Sequence, residues 1–87
     1  MQFKILTYED GDLSPSKQEL SGGFNLAVQT AATLIVQRFR KLVIAERSVK
    51  VETLYLSDTE WSATIMDSIG NDKELYGVTV QRAEADT

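Results

Sequence analysis

Three stretches of this 87-residue chain hold residue types that could do chemistry: Asp10-Gly11-Asp12, the acids Asp67, Asp72 and Glu74, and Ser21-Gly22-Gly23. The first has the spaced carboxylates that begin a calcium loop. However, Pro15 stands where an EF-hand needs its glycine, and no glutamate occupies the twelfth position. It reads as a solvated turn. The second group flanks a hairpin turn and could chelate a hard cation, yet hairpin ends carry acids for solubility alone. The third precedes a long helical pattern, so its free N–H groups could cradle an anion. It lacks both the Walker lysine and the dinucleotide glycine spacing. No metal and no cofactor is expected.

The chain has neither histidine nor cysteine. General acid–base work would fall to carboxylates, lysine or tyrosine, and nucleophilic work to serine or threonine, with no spacing that assembles them. A chain this short also encloses a deep pocket with difficulty. The expectation is a protein that is not an enzyme. Without cysteine there is no disulfide framework, thiolate nucleophile or zinc-thiolate site, which fits a reducing compartment.

Net charge is −4, unevenly distributed. Within residues 24 to 50, Arg38, Arg40, Lys41, Arg47 and Lys50 oppose only Glu46, a local excess of +4; elsewhere four bases stand against twelve acids, giving −8. Cations in the last turns of a helix complement its macrodipole, which gives the basic window a local cause. The acidic remainder repels a polyanion, which argues against direct nucleic-acid binding. The converse is an acidic inhibitor or nucleic-acid mimic of the phage, plasmid or immunity type. Its acidic surface of Asp10, Asp12, Asp58, Glu60, Asp67, Asp72 and Glu74 would stand in for phosphates.

The elements that must position these residues follow from periodicity. Gln2 to Tyr8 alternates as a strand, and Glu9-Asp10-Gly11-Asp12 ends it with turn residues. Ser14-Pro15 suits a short helical turn with serine as N-cap and proline at the first helical position, stopped by Ser21-Gly22-Gly23. From Phe24 to Glu46, Val28, Ala31, Ala32, Ile35, Phe39 and Leu42 recur at helical spacing, opposite a polar stripe of Thr30, Thr33, Gln37, Arg40 and Lys41. Ser48–Leu56, Trp61–Met66 and Leu75–Gln81 alternate as three more strands. They are separated by turns at Ser57-Asp58-Thr59 and Gly70-Asn71-Asp72-Lys73. The expected fold is α+β, two-layered, with one long helix on a four-stranded, mostly antiparallel sheet in the order β-α-β-β-β. If the two strands joined through the helix are parallel neighbours, that crossover is right-handed. Residues 1–82 make a single compact domain, with 83–87 a frayed acidic tail.

One helix covers one sheet face, the one carrying Phe3, Ile5, Val49, Val51, Trp61, Ala63, Ile65, Tyr76, Val78 and Val80. The other would carry Leu6, Tyr8, Leu54, Leu56, Met66 and Leu75, whose joint exposure exceeds the roughly few hundred Å² usual for a soluble monomer. The expectation is a small protein-interaction module that self-associates, as a homo-oligomer, or binds a protein partner through these six residues, unless a bulge, sheet curl or the 9–23 segment covers them. A third reading places Trp61 or Tyr76 against a small ligand held between subunits. The start of the chain lacks the charge and apolar pattern of a leader, and the longest apolar run is far too short to span a bilayer. A soluble, cytoplasmic protein without membrane contact is expected.

Overall fold

The computed structural model describes residues 2–69 and 73–83. The chain runs β1 (Phe3–Glu9), β2 (Lys17–Ser21), α1 (Phe24–Ile44), β3 (Val49–Ser57), β4 (Glu60–Asp67) and β5 (Glu74–Arg82). The strands form one sheet of order β2-β1-β5-β4-β3, with every neighbouring pair antiparallel. This is the expected α+β arrangement of one helix on an antiparallel sheet, with two corrections. The sheet has five strands rather than four, and the order is β-β-α-β-β-β. Residues 70–72 of the second predicted hairpin turn and 84–87 of the acidic tail lie outside the described residues. Ala83 is tied down, its N–H donating to the Gln2 carbonyl at 2.9 Å.

The added strand is β2. Asp10 (φ 50°) and Gly11 (φ 74°) both take positive φ, and the Asp12 N–H donates to the Glu9 carbonyl at 2.9 Å. That is a type I′ turn, whose twist suits antiparallel strands. The short helical turn expected at Ser14-Pro15 is replaced by bends. The Ser16 N–H (2.7 Å) and hydroxyl (3.1 Å) then donate to the Thr7 carbonyl. Lys17 pairs with Thr7, and the ladder continues to Ser21 opposite Phe3. As a consequence α1 connects β2 to β3, which lie at opposite edges of the sheet, and no crossover joins parallel neighbours.

Gly23, extended at φ −160°, caps α1 without a side-chain bond. Ala27, Ala31 and Ile35 are its buried residues, and the two alanines let the backbone approach the sheet closely. They pack on Phe3, Ile5, Trp61, Ala63, Ile65, Tyr76, Val78 and Val80, with the Phe24 ring 5.4 Å from that of Phe3. Val49 packs against the margin of this core, while Val51, from the same expected set, is exposed. The helix ends in a Schellman arrangement, Arg47 N–H to the Leu42 carbonyl and Glu46 N–H to the Val43 carbonyl, both 2.9 Å. Glu46 occupies the left-handed position at φ 61°.

Sheet width decides what the helix leaves uncovered. Five strands at about 4.8 Å spacing span about 24 Å, whereas a helix with its side chains is about 10 Å across. The helix lies chiefly over β5, with lesser contact to β4 and β1. The margin at β3 is left without a second layer.

Candidate interaction surface

The six apolar residues expected on the far face do not form one patch. Leu6, Met66 and Leu75 are each at most 9% exposed, and Tyr8 is half-buried. Leu54 and Leu56 are 55% and 57% exposed. Strand pairing explains the split. Leu6 faces Thr79 across β1 and β5, Thr79 faces Ser62 across β5 and β4, and Ser62 faces Leu54 across β4 and β3. A parallel row runs Tyr8, Gly77, Thr64, Glu52. The central strands therefore present hydroxyls and a glycine on this side, and this polar strip separates Leu6 from Leu54. Above Gly77 the missing side chain leaves a hollow of about 270 Å³. It is walled by Tyr8, Ser62, Thr64 and Thr79 and rimmed by Gly11, Asp12 and Leu13. The Thr79 hydroxyl is buried there without a protein partner.

Exposed apolar side chains also occur elsewhere, at Leu13, Leu20, Leu26, Ile44 and Ile69, but β3 carries four of them, Val51, Leu54, Tyr55 and Leu56, on one strand. Eight of its nine residues are exposed, Val49 being the exception. Val51 and Tyr55 lie on the helix side, paired with Ile65 and Trp61, and Tyr55 is 66% exposed. Leu54 lies on the other side, and Leu56 sits at the register shift between Tyr55 and Ser57. Among the described residues β3 is bonded on one side only, to β4. The other edge strand, β2, is five residues long and carries Lys17 and Glu19, paired at 3.2 Å. Short, charged edges resist strand addition, and long apolar edges invite it.

Beside β3, between the second half of α1 and the sheet, lies a groove of about 440 Å³. Val36 and Phe39 form one wall and Val51 and Thr53 the other; Trp61 and Ala63 make the floor, and Arg40 stands at the rim. It exists because the helix sits over the middle of the sheet and does not reach the margin.

The acidic residues separate by strand direction. Asp10, Asp12, Asp67 and Glu74 lie at the end of the sheet where β1 finishes, whereas Asp58 and Glu60 lie at the opposite end. Asp72 is outside the described residues. The first end also receives the C-terminal half of α1. There Arg38 grips Glu9 through two hydrogen bonds, Nη1 to Oε1 at 2.7 Å and Nη2 to Oε2 at 2.9 Å. Its guanidinium lies 4.2 Å from the centre of the Tyr76 ring. The Glu9 bonds raise the Arg38 pKa further above its ordinary value, and burial raises that of the Tyr76 hydroxyl. Arg47 reaches Asp67 at 3.9 Å. Acids and bases thus interleave at this end.

Sequence reasoning placed Arg38 with the surface bases and missed the clamp. The available signal was its position, three residues after Ile35 and four before Leu42, inside the apolar stripe. A cation there requires a partner. The Ser21-Gly22-Gly23 stretch ends β2 and caps the helix, and the Ser21 hydroxyl is buried without a protein partner. No group of three or more acids among the described residues is placed to hold a metal ion, and no helix there is long and apolar enough to cross a membrane. Compared with family models, with curated protein sequences and with solved structures, the chain matches none.

Proposed function

We propose that this protein is a non-enzymatic interaction module whose binding surface is the β3 margin, from Val51 to Leu56 together with the adjoining groove. The observation that carries this reading is a nine-residue edge, without a second strand partner among the described residues, on which Val51, Leu54, Tyr55 and Leu56 stand in water within one six-residue stretch, whereas the other exposed apolar side chains, such as Leu13, Ile44 and Ile69, are scattered over loops and the helix. Leu6, Met66 and Leu75 are already buried, and Leu54 and Leu56 are the part of the expected patch left to a partner.

The energetics support a reversible contact. The unburied fractions of these four side chains amount to about two whole side chains, and at about 1.5–3 kcal/mol for each fully buried one they offer roughly 3–6 kcal/mol. Main-chain bonds along the strand add about 0.5–1.5 kcal/mol each. Association costs on the order of 4–15 kcal/mol. The gains and the cost are of similar size, so a partner that covers the margin binds weakly and reversibly.

The test is the double variant Tyr55→Lys/Leu56→Lys. Both side chains are exposed, so the fold is retained, as circular dichroism would show. Every association of the wild-type chain, whether seen as mass in sedimentation equilibrium or as a bound protein, is expected to be lost. Associations that survive the double substitution unchanged would end this reading.

A further inference from the structure

Resting on β3 as the binding surface, we infer that its occupant is a second copy of the chain, added antiparallel along β3 about a twofold axis at Thr53. The segment Val49-Lys50-Val51-Glu52-Thr53-Leu54-Tyr55-Leu56-Ser57 carries its helix-side apolar residues, Val51 and Tyr55, at equal distances either side of Thr53. With Thr53 opposite Thr53, Val51 of each copy faces Tyr55 of the other on the helix side. On the far side Glu52 faces Leu54, Lys50 lies level with the register shift at Leu56, and no like charges stand directly opposite. Moving the axis one residue toward the N-terminus sets Glu52 against Glu52, and directly opposed like charges disfavour that register.

The groove supplies the second reason. It is walled by Val51 and Thr53, and the chain's own Tyr55 does not line it. In the Thr53-centred register, the ring brought opposite Val51 is the second copy's Tyr55, at the groove's open side. The ring enters against Val51 and Val36, and its hydroxyl stays at the rim with Arg40. Each copy fills the other's groove by the same contact, the self-matching property of a twofold interface.

Space permits it. The axis is perpendicular to the sheet, so both helices stay on one face of a continuous ten-stranded sheet. Each helix lies chiefly over β5, five strand spacings from its copy, so the helix axes stand about 24 Å apart. That leaves about 14 Å between helix surfaces, room for Val51 and Tyr55 of both copies. About thirteen residues a side take part, half the number in a standard interface, so each copy buries about 400 Å². Contacts of that size are reversible, and the dimer is expected to form over tens to hundreds of micromolar.

The absence of cysteine gives a clean background for testing register. Under mild oxidation Thr53→Cys is expected to give a disulfide-linked dimer, because its two copies face each other. Val51→Cys is expected to link to itself at least tenfold less, its copies standing four residues out of step. A mixture of Val51→Cys and Tyr55→Cys is expected to link as a heterodimer. The inference is overturned if the wild type stays monomeric in sedimentation at 500 µM. It is equally overturned if Thr53→Cys links no faster than Val51→Cys. Either failure leaves the broader reading to its own test, since a different protein bound at β3 would still be lost with Tyr55→Lys/Leu56→Lys.

Discussion

Tyr55→Ala isolates the largest single contribution to the proposed association. Two thirds of this side chain is in water, and aromatic side chains bury about 150–250 Å² when fully covered. Closing the second copy over it therefore removes about 100 Å² or more, and at about 25 cal/mol per Å² the ring contributes about 2 kcal/mol. The alanine methyl keeps little of this. Twofold symmetry doubles the loss, and partial coverage trims it to about 3–4 kcal/mol per dimer, a Kd weaker by two to three orders of magnitude at about 1.4 kcal/mol per tenfold. Sedimentation equilibrium across 5–500 µM should therefore show the wild type associating and the variant monomeric throughout, with thermal unfolding as a check that the monomer is intact. Truncating an exposed residue shifts monomer stability by about 0.5 kcal/mol or less. A Kd changed less than threefold, in a variant that folds as well as wild type, would refute the assignment of Tyr55 to the interface.

Three further outcomes test the fold that holds this margin in place. In a double-mutant cycle of Glu9→Gln and Arg38→Gln, urea unfolding should give a coupling of about 1–2 kcal/mol, less than a fully buried charge-assisted pair because both side chains are about one third exposed; coupling near zero would deny the clamp a structural role. Glu46→Gly should stabilise the protein by about 0.5–1 kcal/mol, since glycine adopts the left-handed conformation at 46 without the cost a Cβ imposes, raising Tm by about 3–6 °C. Burial raises the Tyr76 pKa in the folded state. The folded protein therefore holds this proton to higher pH than the unfolded chain does. Its contribution to stability is complete below the ordinary tyrosine value of about 10 and is lost as pH rises through the folded value. Urea midpoints from pH 8 to 11 should fall more steeply for wild type than for Tyr76→Phe.

The near face and the helix were legible because both obey strict periods. Phe3, Ile5, Trp61, Ala63, Ile65, Tyr76, Val78 and Val80 alternate within their strands, and Ala31, Ile35, Phe39 and Leu42 recur at helical spacing. β2 was not legible. Lys17-Gln18-Glu19-Leu20-Ser21 has no apolar alternation to detect, because the side that is partly buried carries Glu19 and Ser21 and the apolar Leu20 is exposed. The Asp10-Gly11 pair marks only the reversal of the chain, and the long connection from there to Lys17 hides the pairing. The far face was misjudged for a related reason. Its apolar residues were counted without their neighbours, and strand order, unreadable in one sequence, places Ser62, Thr64, Gly77 and Thr79 between Leu6 and Leu54. Leu54 and Leu56 belonged to the expected interface. Val51 was expected on the covered side, and it joins the margin with Tyr55 because the helix is narrower than the sheet.

Amide hydrogen exchange of the wild-type protein at 5 and 500 µM tests the β3 interface without any substitution. Edge strand β2 serves as the internal control within the same sheet. Amides of β3 that point away from β4 are predicted to exchange about two- to sixfold more slowly at the higher concentration, as the monomer fraction falls, with those of β2 unchanged. Exchange along β3 that is independent of concentration, in a chain whose mass nevertheless increases, would place the interface elsewhere and contradict the account.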